Sequence, residues 1–178
     1  WAEREAVANL KASSEAAGIP FRSAPVWRRA GGIGPLVSSV FGRRHIQRAV
    51  RDWDIDTLVP RSLMPALAVL AMNSRHRCRL IFDADGFPAD ESVDFRGLST
   101  DSATYRILKM IETHTARVAD RVLVRTPRSI DILMNLSSTE RSKFFVVGNG
   151  KDPNPFSSLH SRTDNEFRLC YAGSLGSQ

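Results

Sequence analysis

Apolar residues recur along this chain in two rhythms, and their alternation predicts the order of its elements. In EREAVANLKASSEAAG, Val7, Leu10, Ser14 and Ala17 share one face and Gly18 stops the repeat, which predicts an amphipathic helix. IPFRSAPV, with prolines at its edges, predicts a short extended piece. PLVSSVFGRRHIQRAVRDW predicts a second helix, apolar at Leu36, Val37, Val40 and Phe41 and later at Ile46, Val50 and Trp53. Its other face carries Arg43, Arg44, Arg48 and Arg51. A short strand from Asp56 to Val59 follows, then a helix from Leu63 with Pro65 in its first turn.

CRLIFDADGF predicts a buried strand running into a glycine loop, and the polar stretch from Phe87 to Thr100 predicts irregular backbone. A helix with Ile107, Leu108, Ile111, Thr115 and Val118 as its inner face comes next. RVLVRT is a strand, after which Thr126 can cap a helix that has Pro127 at its first position. KFFVVGNG is a further strand with a turn, where Asn149-Gly150 suits positive φ. Residues 151–166 turn to Pro, Ser, Asn and Asp, as a linker does. FRLCYAGSLGSQ then predicts one more strand, Arg168 to Tyr171, and a loop opened by Gly173 and Gly176. Strands alternating with helices at this spacing predict an α/β fold with a Rossmann-like, doubly wound parallel sheet. Such sheets bind ligands beyond the carboxyl ends of their strands.

A length of 178 residues suffices for one domain with a sizeable core, and 42% hydrophobic with 25% charged residues is ordinary for a globular protein. No apolar run approaches the roughly 20 residues of a membrane span, and Trp1-Ala2-Glu3-Arg4 is not a secretory start. The reading is a cytoplasmic protein. The missing initiator Met, and a chain that stops just after a glycine loop, lead us to expect a fragment. A net charge of +6 favours an anionic partner, or describes a merely basic protein. Cys78 and Cys170 sit in apolar runs and read as small core residues rather than a disulfide or metal pair.

Three loops that follow strands hold the candidate chemistry. In VPRSLMP, Arg61 and Ser62 would stand at a helix N-terminus suited to a phosphate or carboxylate, or Ser62 simply caps the helix. In LIFDADGFPADESVDF, Asp83 and Asp85 lie at a strand end with Asp90, Glu91 and Asp94 close behind. A D-x-D pair can hold a divalent cation, can act as nucleophile and acid/base, or can be a solvated acidic loop. The third loop, VVGNGKDPNPF, reads as a binding turn or as a plain hinge.

D-x-D-G after an apolar strand resembles the first motif of haloacid-dehalogenase-type phosphatases, with Asp83 as nucleophile and Asp85 as acid/base. Thr126 and KFFVVGNGKD are similar to later motifs of those Mg-dependent enzymes. Asn149, however, stands where a metal-binding Asp is needed, and more than eighty residues precede the nucleophile motif. This is the second reading.

The series PRSLMPALAVLA, LIFDADGFPADESVD, ILKMIETHTARVADRVLVRTPRSIDIL, KFFVVGNGKDPNPF and FRLCYAGSLG, in that order, resembles the N-terminal part of family 4 glycosyltransferases of the GT-B fold. The resemblance implies that residues 1–150 form an N-terminal acceptor domain lacking its first strands, 151–166 an interdomain linker, and 167–178 the truncated start of a nucleotide-sugar-binding domain. It implies transfer of a sugar from a nucleotide-sugar donor to the hydroxyl of a carbohydrate or lipid-linked acceptor, with retention of configuration, in cell-surface polysaccharide or glycolipid synthesis. The resemblance also implies that no metal and no cofactor is required. Arg61, Ser62, Gly86, Arg125, Thr126 and Asn149 would line the acceptor cleft. Asp85 would stand where many relatives place a His or Arg facing the transferred sugar. Gly173, Ser174 and Gly176 would approach the donor diphosphate.

A third reading is a non-catalytic, basic anion- or membrane-binding module. The arginine face of the second helix could rest on acidic lipid at the inner face of the plasma membrane. No nucleic-acid motif accompanies it, so nucleic acid is not expected as a partner.

Overall fold

A computed structural model describes residues 2–25, 33–72 and 77–150. The elements run α1 (Ala2–Ala16), α2 (Ile33–Asp52), β1 (Thr57–Leu58), α3 (Leu63–Leu70), β2 (Arg79–Ala84), α4 (Pro88–Arg96), α5 (Ala103–Val118), β3 (Arg121–Val124), α6 (Pro127–Ser137) and β4 (Phe144–Val146). The linker 151–166 and the closing strand and loop at 167–178, with Cys170, Gly173, Ser174 and Gly176, lie outside the described residues.

The four strands form one all-parallel sheet in the order β1-β2-β3-β4, with Leu58 opposite Leu80, Phe82 opposite Val122, and Val122 opposite Phe144. This is the α/β, Rossmann-like architecture. The order steps one way only, so the described strands make a single winding arm. With right-handed crossovers, the connecting helices of such an arm fall on one face of the sheet, in keeping with the packing of α3 on α5 and of α5 on α6.

Alternation along the strands decides which face is covered. Leu80, Phe82, Ala84, Val122 and Val124 are buried beneath the helices, together with Leu63, Ala66, Ile111, Ala116, Ile130 and Leu133. Their in-between neighbours Ile81, Asp83 and Leu123 are half-buried. Cys78 is a buried core residue whose Sγ donates to the Ile55 carbonyl at 3.4 Å.

Four expectations are corrected by the fold. The polar stretch 87–100 contains α4, which its end signals specify better than its hydrophobicity does. Pro88 occupies the first turn beside Asp90 and Glu91, and Gly97 at φ 65° ends the helix in the left-handed conformation. Among its residues only Ala89 is fully buried, so no apolar stripe announced it. On α5, Leu108, Ile111, Thr115 and Val118 face inward as expected, joined by Glu112 and Ala116, but Ile107 turns outward at 38% exposure. On α2, Leu36, Ile46 and Val50 pack against the core, but Val40 and Phe41 are exposed on the same side as Arg44 and Arg48. Helix α1 forms as expected, yet Val7 and Leu10 remain exposed.

Candidate functional site

Four of the residues singled out by the sequence meet at the carboxyl ends of the strands. Arg61 follows β1, Asp83 lies in β2 with Asp85 just beyond it, and Arg125 follows β3. The backbone draws these ends together. Asp83 donates its N–H to the Pro60 carbonyl at 3.0 Å, and Ser62 donates to the Asp83 carbonyl at 3.0 Å, so Arg61 is bridged to Asp83 as one more parallel rung.

The side chains then form an alternating quartet. Arg61 donates to Asp85 Oδ2 through Nη2 at 2.7 Å and through Nε at 3.0 Å. Arg125 donates from Nε to Asp85 Oδ1 at 2.7 Å, from Nη2 to Asp83 Oδ1 at 2.7 Å, and from Nη1 to the Val147 carbonyl at 2.9 Å. Three acceptors from two strand ends fit the rigid fork of a guanidinium, which a lysine could not serve. Burial grades the four: Arg61 is 60% exposed, Asp85 30%, Arg125 17% and Asp83 15%. Arg125 is thus the more buried arginine of the quartet and Arg61 the exposed one.

Electrostatics follow from these bonds. The hydrogen bond from Arg61, joined by that from Arg125, holds the Asp85 carboxyl below the usual carboxylate range despite partial desolvation. Reciprocally, the bond to Asp85 and the charge of Asp83 raise the pKa of Arg125. Asp85 is therefore a fixed anion at neutral pH and not a proton donor.

The other predicted positions divide. Ser62 adopts φ 66°, ψ 179°, a region that non-glycine residues rarely occupy, and its side chain makes no capping bond to α3. The simple cap is therefore not its role. Thr126 does cap α6, accepting from the Ser129 N–H at 3.2 Å with Pro127 behind it. Gly86 has a packing reason of its own. A Cβ there would collide with Glu91 Oε1, which accepts from the Phe87 N–H at 3.1 Å and so caps α4.

Asn149 is exposed beyond β4. The expected positive-φ turn does not form: among the described glycines only Gly18 and Gly97 have positive φ. Gly148 to Gly150 run on as irregular backbone past the strand end.

Among the α2 arginines, Arg43 turns inward to the Ala71 carbonyl at 3.4 Å and Arg51 pairs with Asp52 at 3.2 Å. Arg44 and Arg48 stay exposed.

A second polar cluster escaped the sequence reading. Lys109 Nζ reaches Asp90 Oδ2 at 2.9 Å and Glu112 Oε2 at 2.5 Å, and Tyr105 donates to Asp90 Oδ1 at 2.9 Å. Glu112 is 1% exposed, its Oε1 has no partner, and burial pushes its carboxyl pKa up. For Lys109 burial acts downward, but its bonds to Glu112 and Asp90 prevail and raise it. Glu112 is pushed upward because nearly the whole side chain is out of water and one oxygen lacks a donor. A helical spacing of Tyr105, Lys109 and Glu112 was the available signal, but it reads equally as a solvated face.

A groove of about 770 Å³ between α3 and α5, lined by Leu67, Leu70, Tyr105, Met110, Ile111 and His114, shares no residue with the strand-end quartet. No protein-family model matches the chain, and no curated protein matches it.

Proposed function

We propose that this chain is the acceptor-binding part of a retaining glycosyltransferase of the two-domain kind it resembles, acting on a nucleotide-sugar donor and a carbohydrate or lipid-linked acceptor. The observation that carries the proposal is the convergence of Arg61, Asp85 and Arg125 at the carboxyl ends of a parallel sheet. That edge is where such sheets take ligands, and guanidinium and carboxylate groups there supply directional donors and acceptors for a polyhydroxylated molecule. Under this proposal Arg125 is the fixed anchor, Arg61 the movable hand, and Ser62, Gly86 and Asn149 border the cleft. Asp85, ionised and doubly held, orients the arginines and is not the group that moves a proton.

The same bonds weigh against the phosphatase. Both carboxylates that would serve as nucleophile and acid/base are bonded to arginines at 2.7 Å, which lowers nucleophilicity and places positive charge where a divalent cation would bind. Thr126, which that chemistry would use for phosphate, is engaged as a helix cap.

A peripheral contact with acidic membrane belongs to the same proposal. Val40 and Phe41, 38% and 62% exposed, stand beside exposed Arg44 and Arg48, an apolar and basic pairing suited to a lipid interface. Arg43 and Arg51 contribute less, being turned to Ala71 and Asp52.

The test is sugar transfer by the longer protein that this proposal implies, across a panel of nucleotide sugars and saccharide or lipid-linked acceptors. Transfer that is lost in Arg125→Ala supports the proposal. Mg²⁺-dependent hydrolysis of an aryl phosphate, abolished by Asp83→Asn, would replace it with the phosphatase.

A further inference from the structure

We infer that Asp85 is a built-in stand-in for a ligand anion: it occupies an arginine-lined seat that a phosphate group of the acceptor takes over when Asp85 swings out. The inference rests on the acceptor-site proposal above and narrows it to acceptors that carry a phosphate monoester or diphosphate.

The geometry of the seat comes first. One carboxylate bridges two guanidinium groups from different strand ends, Oδ2 facing Arg61 and Oδ1 facing Arg125. Asp83 is the carboxylate that Arg125 keeps, since that pair is 17% and 15% exposed. The exchangeable half is Arg61–Asp85, whose members are 60% and 30% exposed. Solvent screening and side-chain entropy keep such exposed pairs weak, so a ligand can compete for Arg61 without breaking the buried pair.

The surroundings favour a dianion over the aspartate. Two helices begin beside this seat, α3 two residues after Arg61 and α6 two residues after Arg125, whereas α4, three residues after Asp85, has its first turn neutralised by Asp90 and Glu91. The N-terminal ends of α3 and α6 add positive potential that the one-to-one charge count of the quartet does not include. The first turn of α3 has no side-chain cap, because Ser62 makes none. A phosphate presents more acceptor oxygens and more charge than a carboxylate, and bidentate guanidinium contacts suit it.

Exchange of one anion for another needs a place for Asp85 to go. The residue is already partly exposed, and Gly86 follows it. After the exchange Arg125 retains Asp83 and the Val147 carbonyl, so the sheet edge keeps its shape.

The experiment is anion titration of this chain by calorimetry and thermal shift, with inorganic phosphate, pyrophosphate and dodecyl phosphate as probes. Wild type, Asp85→Asn, and Asp85→Asn combined with Arg61→Gln are compared. Freeing the seat from its internal competitor should tighten pyrophosphate binding by about tenfold in Asp85→Asn, as removal of a competing closed state does. Adding Arg61→Gln should cancel the gain. An equal gain with phosphate and dodecyl phosphate means that the headgroup alone is recognised, and a gain confined to dodecyl phosphate assigns the seat to lipid-linked acceptors. Asp85→Asn that folds, judged by its circular dichroism, and binds no probe more tightly than wild type overturns the inference. If Asp85→Asn is unfolded, Asp85→Ser takes its place under the same criteria. Sugar transfer is read separately: transfer without the anion gain removes this inference alone, and the gain without transfer removes the transferase.

Discussion

Arg61 and Arg125 grip opposite oxygens of the single Asp85 carboxylate, each at 2.7 Å. Two strand ends are thereby tied through the end of the strand between them. The tie gives the sheet edge a fixed pattern of charge and makes Arg125 its organising residue. Arg125→Ala should unseat Asp83, Asp85 and the chain after β4 together and, if the proposed transferase function holds, lower sugar-transfer kcat/KM by about a hundredfold, the scale of a misplaced binding group. Arg125→Lys should rescue little, since one ammonium cannot serve the three acceptors with the same fork. Steady-state kinetics of the proposed sugar transfer checks both.

Acid should loosen the same edge. The folded-state pKa of Asp85 is depressed, so its contribution is present above the unfolded carboxylate value of about 4 and is lost as pH falls through the lower folded value. Asp85→Asn removes that dependence. Unfolding monitored by circular dichroism should therefore show a shallower loss of stability below about pH 4 in Asp85→Asn than in wild type.

Glu112 carries the opposite sign. Its folded-state pKa is raised, so its charged form costs stability, and stability falls as pH rises from the unfolded value of about 4.3 through the higher folded value. Glu112→Gln, which leaves Lys109 its bond to Asp90, should abolish that fall. Its melting temperature relative to wild type should rise from pH 4 to pH 7, both set in the measurement at about these values. An unchanged difference would show that Glu112 is charged in both states.

Ser62 and Thr126 precede helices in the same way and should respond differently to substitution. Thr126→Ala removes a cap bond and should cost about 1 kcal/mol. Ser62→Gly relieves a backbone held at φ 66° and should stabilise the chain by about 0.5–1 kcal/mol, whereas Ser62→Val should destabilise it by more. Urea unfolding of the three variants separates a cap from a strained turn.

Gly86 and Glu91 should be coupled. Gly86→Ala pushes a methyl into Glu91 Oε1, the free end of an exposed side chain that can rotate away, and should cost about 1 kcal/mol, the cap bond to the Phe87 N–H. With Glu91→Ala already present the added cost should shrink, because the colliding oxygen is gone. A double-mutant cycle in urea measures the difference.

Much of the fold was legible in the chain because its signals are local. Val122-Leu123-Val124 is a continuous apolar run, Thr126-Pro127 is a cap followed by a first-turn proline, and both appear where the pattern put them. The alternation of such runs with helical repeats also determined the class of sheet, since short parallel strands need helical crossovers between them. Helix α4 was carried by Pro88, Glu91 and Gly97 rather than by an apolar stripe, and a reading weighted towards hydrophobicity passed over it. Facing is less local still. Val40 and Phe41 turn outward, and Glu112 inward, because α2 and α5 each meet neighbours whose positions depend on the whole chain.

The candidate site divides in the same way. The residue types and their places at strand ends belong to the sequence: Arg61, the two aspartates and Arg125 each follow or close an apolar run. Their meeting belongs to the tertiary structure. Asp85 finds its partners 24 and 40 residues away, and only parallel register brings three separated strand ends within hydrogen-bond reach. Ser62 is the sharpest case: no sequence rule places a serine at φ 66°, and it is held there by the β1–β2 rung on one side and a buried helix on the other. Local preference determined the elements of this protein. Long-range backbone pairing, which no short window of sequence contains, decided which of their charges face one another.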